Sequence, residues 1–418
     1  MSAARAPLGF LAGSVHCGLK KNNAKDLAAI LSLYPCTAAG VFTKNKFRAA
    51  PVLVCEANLK DAPSAIGGVL INSGCANACT GDQGLKDAHA MDQLCRDISI
   101  GANRQKPSLV LSTGVIGQPL DLAKIEKGTK QLATVVAESE DGWNDAAMGI
   151  MTTDTYHKFM TTSLALEGPY NTEVRFAGIA KGAGMIHPNM ATMLGIVATD
   201  ANISAALLKK ICTYAADRSF NCISVDGDTS TNDSFVILAN GAACEQQIVA
   251  EDDQAYLDIR AGVTGIAKKL ARELVRDGEG ATKFVSIIVE EARHYEDARI
   301  AAVAIATSML VKTALFGQDA NWGRIVCALG YSGAEFNGDN VNLHLSSRDD
   351  NGDTVDSLHL FKNGQPFEID EERAAEILKH REIDLRLNVG ENADTETLTY
   401  WTTDLTYDYI KINADYRS

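Results

Sequence analysis

Apolar positions along this chain recur with two different periods. Four stretches have helical spacing: Leu85–Ile98, Leu120–Ala137, Ser204–Phe220 and Gln254–Val275. In the last, Tyr256, Ile259, Val263, Ile266, Leu270 and Leu274 return at steps of three or four, which draws one apolar stripe down a helix, and Asp277-Gly278 stops it. Asp26–Leu33, with a polar start before apolar residues, is expected to be helical as well. Strands are expected at Ala38–Thr43, Ile66–Asn72, Ser108–Ser112, Thr161–Leu166, Met193–Ala198, Ser234–Ala239, Phe284–Glu290, Val341–Leu345 and Ile383–Val389, each rich in β-branched residues and bounded by turn formers. Helices and strands alternate, so the class is mixed α/β. The pattern itself leaves a doubly wound sheet and an αββα sandwich both open. Ile300–Val311 carries no charge; at that length it is expected to be a buried element and not a membrane span.

The 418 residues are 46% hydrophobic and 22% charged, which excludes a disordered or fibrous chain and allows more than one lobe. The formal net charge is −14 and there is no basic run, so a nucleic-acid partner is not expected. The first ten residues lack the apolar core of a signal peptide and are poor in Arg. The ten cysteines form no Cys-x-x-Cys pair and read as buried free thiols in a reducing compartment, so a cytoplasmic protein is expected.

Small-residue loops cluster after the strands, where chemistry is most often carried. In Lys181-Gly-Ala-Gly-Met-Ile-His-Pro-Asn-Met-Ala-Thr192, a Gly-rich turn leads to one hydroxyl between Ala191 and Met193. From the residues alone Thr192 is either a hydrogen-bonded strand threonine or a nucleophile. A Thr hydroxyl needs a base, and cleavage of the chain just before it would supply one, an α-amine with a pKa of about 7.7–8.0. Ser112-Thr113-Gly114 is either a turn or an oxyanion hole built from the Thr113 hydroxyl and the Gly114 N–H. Met151-Thr-Thr-Asp-Thr155-Tyr-His-Lys158 is either a capping turn or a pocket wall. Asp226, Asp228 and Asp233, with Asn232, resemble a hard-cation loop in composition, but Leu238 stands where a calcium loop needs Glu. His187, followed by Pro, reads as structural; no nucleophile elbow, zinc pair or P-loop is present.

Taken together these segments resemble the ornithine acetyltransferase family, ArgJ. The resemblance rests on Lys181–Leu194, Ser112–Gly117, Ile150–Thr155, Val225–Asp233, Asp277–Lys283, Asp319–Arg324 and the tail Asp404–Ser418, in family order over nearly the whole chain. It implies an ArgJ/DmpA-like α/β fold with sandwiched β-sheets flanked by helices. It also implies self-cleavage between Ala191 and Thr192 into an α chain, 1–191, and a β chain, 192–418. By the same resemblance Thr192 is the nucleophile and Thr113 and Gly114 form the oxyanion hole. Thr155, Lys181, Thr192, Glu279, Asn413 and Ser418 fall where the family binds substrate. The implied reaction moves an acetyl group from N2-acetylornithine to glutamate, without metal or cofactor. Some members also accept acetyl-CoA, and no residue here decides that. Two α and two β chains are the implied assembly, with no nucleic-acid or membrane partner. An N-terminal-nucleophile aminopeptidase of the same architecture is the alternative. Ala183, His187, Tyr156-His157 and Ser418 depart from the commoner family residues, but none removes a group the mechanism needs.

Overall fold

The computed structural model describes residues 6–187, 193–349, 351–368 and 370–414. The chain divides into two compact units, residues 1–221 with 228–274, and residues 222–227 with 275–418. The first unit contains, in chain order, β1 (Phe10–Val15), β2 (Leu27–Phe42), α1 (Ala50–Asp61), β3 (Ile66–Cys75), α2 (Gly81–Ile98), β4 (Leu109–Val115), α3 (Leu122–Val135), α4 (Glu140–Ile150), β5 (Lys158–Leu166), β6 (Thr172–Lys181), β7 (Leu194–Thr199) and α5 (Ala205–Asp217). After β8 (Ile223–Ser224), which belongs to the second unit, β9 (Ser234–Ala239) and most of α6 (Gln254–Arg276) complete the first.

Its sheet runs β4-β3-β2-β9-β7-β6-β5, with β1 also paired to β2. Both faces are covered by helices. Ala177 and Ile179 of β6 share a core cluster with Trp143, Ala146 and Ile150 of α4. Gly178, one residue out of phase, lies under Ile266 and Leu270 of α6. Residues one apart on a strand point to opposite faces, so burial on both sides follows from the alternation.

The second unit holds β8, β10 (Phe284–Glu290), α7 (Tyr295–Thr307), α8 (Met309–Phe316), α9 (Trp322–Gly330), β11 (Asn342–Arg348), β12 (Thr354–Lys362), β13 (Gln365–Pro366), α10 (Glu371–Lys379), β14 (Glu382–Asn388), β15 (Leu398–Thr403) and α11 (Tyr407–Ala414). Its sheet runs β13-β12-β11-β14-β10-β15-β8. The mixed α/β class expected from the sequence is present, with two sheets.

Two local expectations are corrected. Asp26–Leu33 is not a helix: Leu27–Leu31 lies in β2, between β1 and β3, with every side chain buried. Five apolar residues in a row fit a strand covered on both faces as well as a helix, and the partners decide. Asp26, read as a polar helix start, instead accepts the backbone N–H groups of Cys17 (2.6 Å), Gly18 (3.1 Å), Leu19 (2.7 Å) and Lys20 (2.9 Å). Burial raises the pKa of this carboxyl, but those donors outweigh it and hold it below the ordinary range. Ile300–Val311 is not one element either. It spans α7 and α8, which meet at Ser308 with a bend of 58°. Ser308 caps α8, its hydroxyl accepting from Val311 N at 3.3 Å. Among the described residues no single helix is long and apolar enough to cross a membrane.

Candidate active site

Thr113 and Gly114, the residues expected to form an oxyanion hole, sit where two parallel strands end. β3 and β4 run side by side, with Ser73 opposite Thr113 and Gly74 opposite Gly114. Gly114 has φ +132°, and a Cβ there would lie 2.3 Å from the Gly74 carbonyl carbon and 2.6 Å from Cys75 N. Only glycine allows the backbones to approach so closely. Two buried amides pin this tip. Asn72 Nδ2 donates to Cys75 O (2.9 Å), and its Oδ1 accepts from Ser112 Oγ (2.5 Å). Asn232 Nδ2 donates to Ala76 O (2.6 Å) and Ser112 O (2.8 Å), joining both strands at once.

Lys181 ends β6 and reaches the same tip. Its side chain is buried, and Nζ donates to Thr113 Oγ1 at 3.1 Å. A hydroxyl that accepts from an ammonium keeps its own hydrogen for another acceptor, as an oxyanion donor must. Lys181 lies in the field of two carboxyls that titrate in opposite directions. Asp154 Oδ1 accepts from Lys158 Nζ (2.8 Å) and Gly182 N (2.8 Å), and Oδ2 from Thr152 N (2.9 Å). Burial would raise the pKa of Asp154, but the charges of Lys181 and Lys158, with these hydrogen bonds, hold it below the ordinary value. Asp233 is fully buried, and burial pushes its carboxyl well above the usual range against the weaker pull of the Met193 N–H and the Lys181 charge.

Ala191, Thr192 and Ser418 lie outside the described residues. The residue that follows Thr192 is held on both sides. Met193 N donates to Asp233 Oδ1 at 3.0 Å, and Ser234 N donates to Met193 O at 3.0 Å. Leu194 then pairs with Lys181 on one side and Ser234 on the other. Lys181, Thr113 and the start of β7 are thus brought to one end of one sheet. Thr155 is exposed in the loop between α4 and β5, beside the buried Asp154.

In the second unit Asn413 Nδ2 donates to Glu279 Oε2 at 2.9 Å, which brings together two of the residues expected to bind substrate. The acidic loop is not a ligand cluster. Asp226 Oδ2 accepts from Tyr409 OH (3.2 Å), Asp233 supports Met193, and Asp228 is exposed. No group of three or more His, Cys, Asp or Glu among the described residues is placed to hold a metal.

Sequence reasoning does not single out Asp154, Lys158 or Asn72 for the site, and takes Asn232 and Asp233 only for a candidate cation loop. Asp154 and Lys158 are four apart inside a segment notable for its threonines, and that spacing is the one signal available.

The state of Asp233 yields a first test. A carboxyl whose pKa is raised on folding stabilises the fold fully below its unfolded pKa, and that contribution is lost as pH rises through the folded value. Asp233→Asn cannot ionise and keeps a carbonyl for Met193 N. It is expected to melt no lower than the parent near neutrality and to depend less on pH. Asp233→Ala strands the Met193 N–H and should lose about 1–3 kcal/mol. Thermal melts between about pH 5 and 8 read both; an Asn variant far less stable than the parent at pH 7 contradicts a raised carboxyl pKa.

Comparison with known proteins places this geometry among relatives. A family model described as "ArgJ family" matches residues 11–418. A mitochondrial arginine biosynthesis bifunctional protein ArgJ from Schizosaccharomyces japonicus is 46% identical over 99% of this chain and 93% of its own. The protein of that name from Schizosaccharomyces pombe is 47% identical over 99% and 92%. A solved structure of arginine biosynthesis bifunctional protein ArgJ from Bacillus halodurans is 36% identical, covers 51% of this chain and 95% of that one, and has a TM-score of 0.46. The eukaryotic relatives are named mitochondrial, which overturns the cytoplasmic expectation. Buried thiols suggest the cytosol, but burial, as the largest cause, pushes those of Cys36, Cys55 and Cys95 up to about 12, so their inertness says nothing about compartment.

Proposed function

The chain belongs to the ArgJ family, and from that membership we propose that it transfers the acetyl group of N2-acetylornithine to glutamate, giving ornithine and N-acetylglutamate in arginine biosynthesis. The observation that carries this reading is the buried Lys181 Nζ on Thr113 Oγ1, at the end of the sheet where β7 begins two residues after Thr192. A charge-backed hydroxyl donor and a chain anchored just past a Thr are what acyl transfer through a Thr ester requires.

In the proposed maturation step, Thr192 Oγ attacks the Ala191 carbonyl. Thr113 and Gly114 steady the tetrahedral oxyanion, the acyl group passes from N to O, and water hydrolyses the ester. This leaves 1–191 and 192–418 as α and β chains. The compact units follow a different division: the first unit draws on both chains. In turnover, the freed α-amine of Thr192 takes the proton from its own Oγ as that oxygen attacks the acetyl carbonyl. Ornithine leaves carrying the proton, and the glutamate amine then takes the acetyl group from the Thr ester. The ester survives only if water is kept from it, which suits a pocket that closes on amino-acid substrates. Lys181 is proposed to hold a substrate carboxylate, and Glu279 an ammonium, with Thr155, Asn413 and Ser418 completing the pocket.

Acetyl-CoA is proposed as a second donor, because the relatives are named bifunctional. Two α and two β chains in a mitochondrial enzyme complete the reading; light scattering of the purified protein checks the assembly.

The deciding assay follows ornithine release from N-acetylornithine with and without glutamate. Glutamate is expected to accelerate release, with N-acetylglutamate formed in equal amount. Release of ornithine and acetate at a rate indifferent to glutamate identifies a hydrolase instead. Thr113→Ala is expected to slow both self-cleavage and transfer by roughly 10²–10³, the usual cost of one oxyanion donor. Time courses of chain cleavage and of ornithine release check this, and wild-type rates remove Thr113 from the hole.

A further inference from the structure

One buried lysine in the second unit has no part in the chemistry above. Lys312, on α8, is 5% exposed. Its Nζ donates to Thr402 Oγ1 (3.4 Å), to Thr403 Oγ1 (3.1 Å) and to Thr403 O. All three acceptors lie at the end of β15. A buried charge is expensive unless its neighbours repay it; burial pulls the pKa of this amine down to about 8 against the opposing fields of Asp404 and Asp226.

Thr402 Oγ1 donates onward to Ala306 O on α7 at 3.1 Å, while the residues that follow Thr403 in the chain lead to Glu279. Thr403 Oγ1 donates onward to Val225 O at 3.4 Å. Asp404 Oδ1 accepts from Thr282 N (2.9 Å) and Lys283 N (3.1 Å), and Oδ2 from Thr282 Oγ1, so the loop carrying Glu279 hangs on the residue next to Thr403. Thr406 Oγ1 donates to Gly280 O at 2.8 Å and accepts from Tyr409 N at 3.0 Å. Gly280 has φ +66°, and a Cβ there would lie 2.5 Å from Tyr409 N, so this loop and the start of α11 touch backbone to backbone. Tyr409 OH donates to Asp226, and Asn413, one turn on, donates to Glu279. Leu405 N closes the circuit on Lys312 O at 3.3 Å.

We propose that Lys312 is a positioning residue for the amino-acid substrate: it fixes the end of β15, from which both the Glu279 loop and the Asn413 helix are hung. The proposal rests on the reading that Glu279 and Asn413 bind substrate. Lys312 touches no reacting atom. Its removal should therefore loosen substrate binding while leaving self-cleavage and the acetyl-Thr chemistry intact.

The test uses the full-length enzyme carrying Lys312→Met, of similar length and without charge, and Thr403→Val, which removes only the hydroxyl link. Lys312→Met is expected to self-cleave like the parent, to keep kcat within about twofold, and to raise KM for N-acetylornithine or glutamate by about tenfold or more. Thr403→Val should move KM in the same direction by less. In a Glu279→Gln background, Lys312→Met should add little, because coupled residues are not additive. If Lys312→Met does not fold, Thr403→Val and its cycle with Glu279→Gln decide the matter in its place. An unchanged KM in folded, cleaved variants, or a full additive effect over Glu279→Gln, overturns the proposal while the transferase reading stands. Absence of ornithine-to-glutamate transfer in the parent enzyme overturns both.

Discussion

A Thr192→Ala chain is expected to accumulate as one uncut polypeptide and to transfer no acetyl group. The substitution removes the oxygen proposed to attack in both the maturation step and turnover, and without the proposed cut the α-amine proposed as base is never released. Loss of a nucleophile that acts as a unit with its base costs at least about 10⁴ in rate, which in practice is loss of activity. The fold should not suffer, since Met193 remains held by Asp233 and Ser234 whatever side chain precedes it. A denaturing gel and an ornithine-release assay read the two effects together. A Thr192→Ala protein that still divides into two pieces contradicts the assignment outright.

Gly114→Ala carries the second large effect, and for a different reason. Its φ of +132° is one that L side chains rarely adopt, and the new Cβ would fall 2.3 Å from backbone carbon. Backbone cannot rotate away as a side-chain tip can, so β4 must part from β3 at Thr113. That displaces both proposed oxyanion donors and the hydroxyl on which Lys181 rests. Cleavage and transfer are expected to fall by more than the roughly 10²–10³ of a single lost donor, and the melting temperature with them. Gly117→Ala is the control. Its φ of +79° is also positive, but nothing lies within 4 Å of the added carbon, so it should cost only about 1–2 kcal/mol and still be cleaved. Equal behaviour of the two variants would show that the contact with Gly74 does not set the loop.

Long amphipathic helices are legible in the sequence because one face is apolar and the other is not; the stripe in Gln254–Val275 is the face of α6 that covers Gly178. The first half of β2 reads wrongly as a helix because it is buried on both faces and has no period to read. β6 escapes notice for a related reason: with Gly178 under α6, its alternation is interrupted where a large side chain would have marked it. At the candidate site, Thr113 and Gly114 stand out as a short hydroxyl–glycine run and Lys181 through the family resemblance, and the structure brings Lys181 to 3.1 Å from Thr113. Their supports do not stand out. Asn232 acts on a carbonyl 156 positions away and Asp154 on an amide 28 positions away, and one-dimensional spacing carries no trace of such a partner. Asp233 shows the limit most clearly: within an acidic run it looks like a cation ligand, and folding has buried it as the acceptor of Met193 N, its carboxyl pushed above the usual range by that burial.

The proposed chemistry turns on whether the Ala191–Thr192 bond is broken in the working enzyme. N-terminal sequencing of the chains separated from freshly purified, active protein answers this directly. A second chain beginning Thr-Met-Leu-Gly is the result expected. Full activity in a single unbroken 44.6 kDa polypeptide would contradict it.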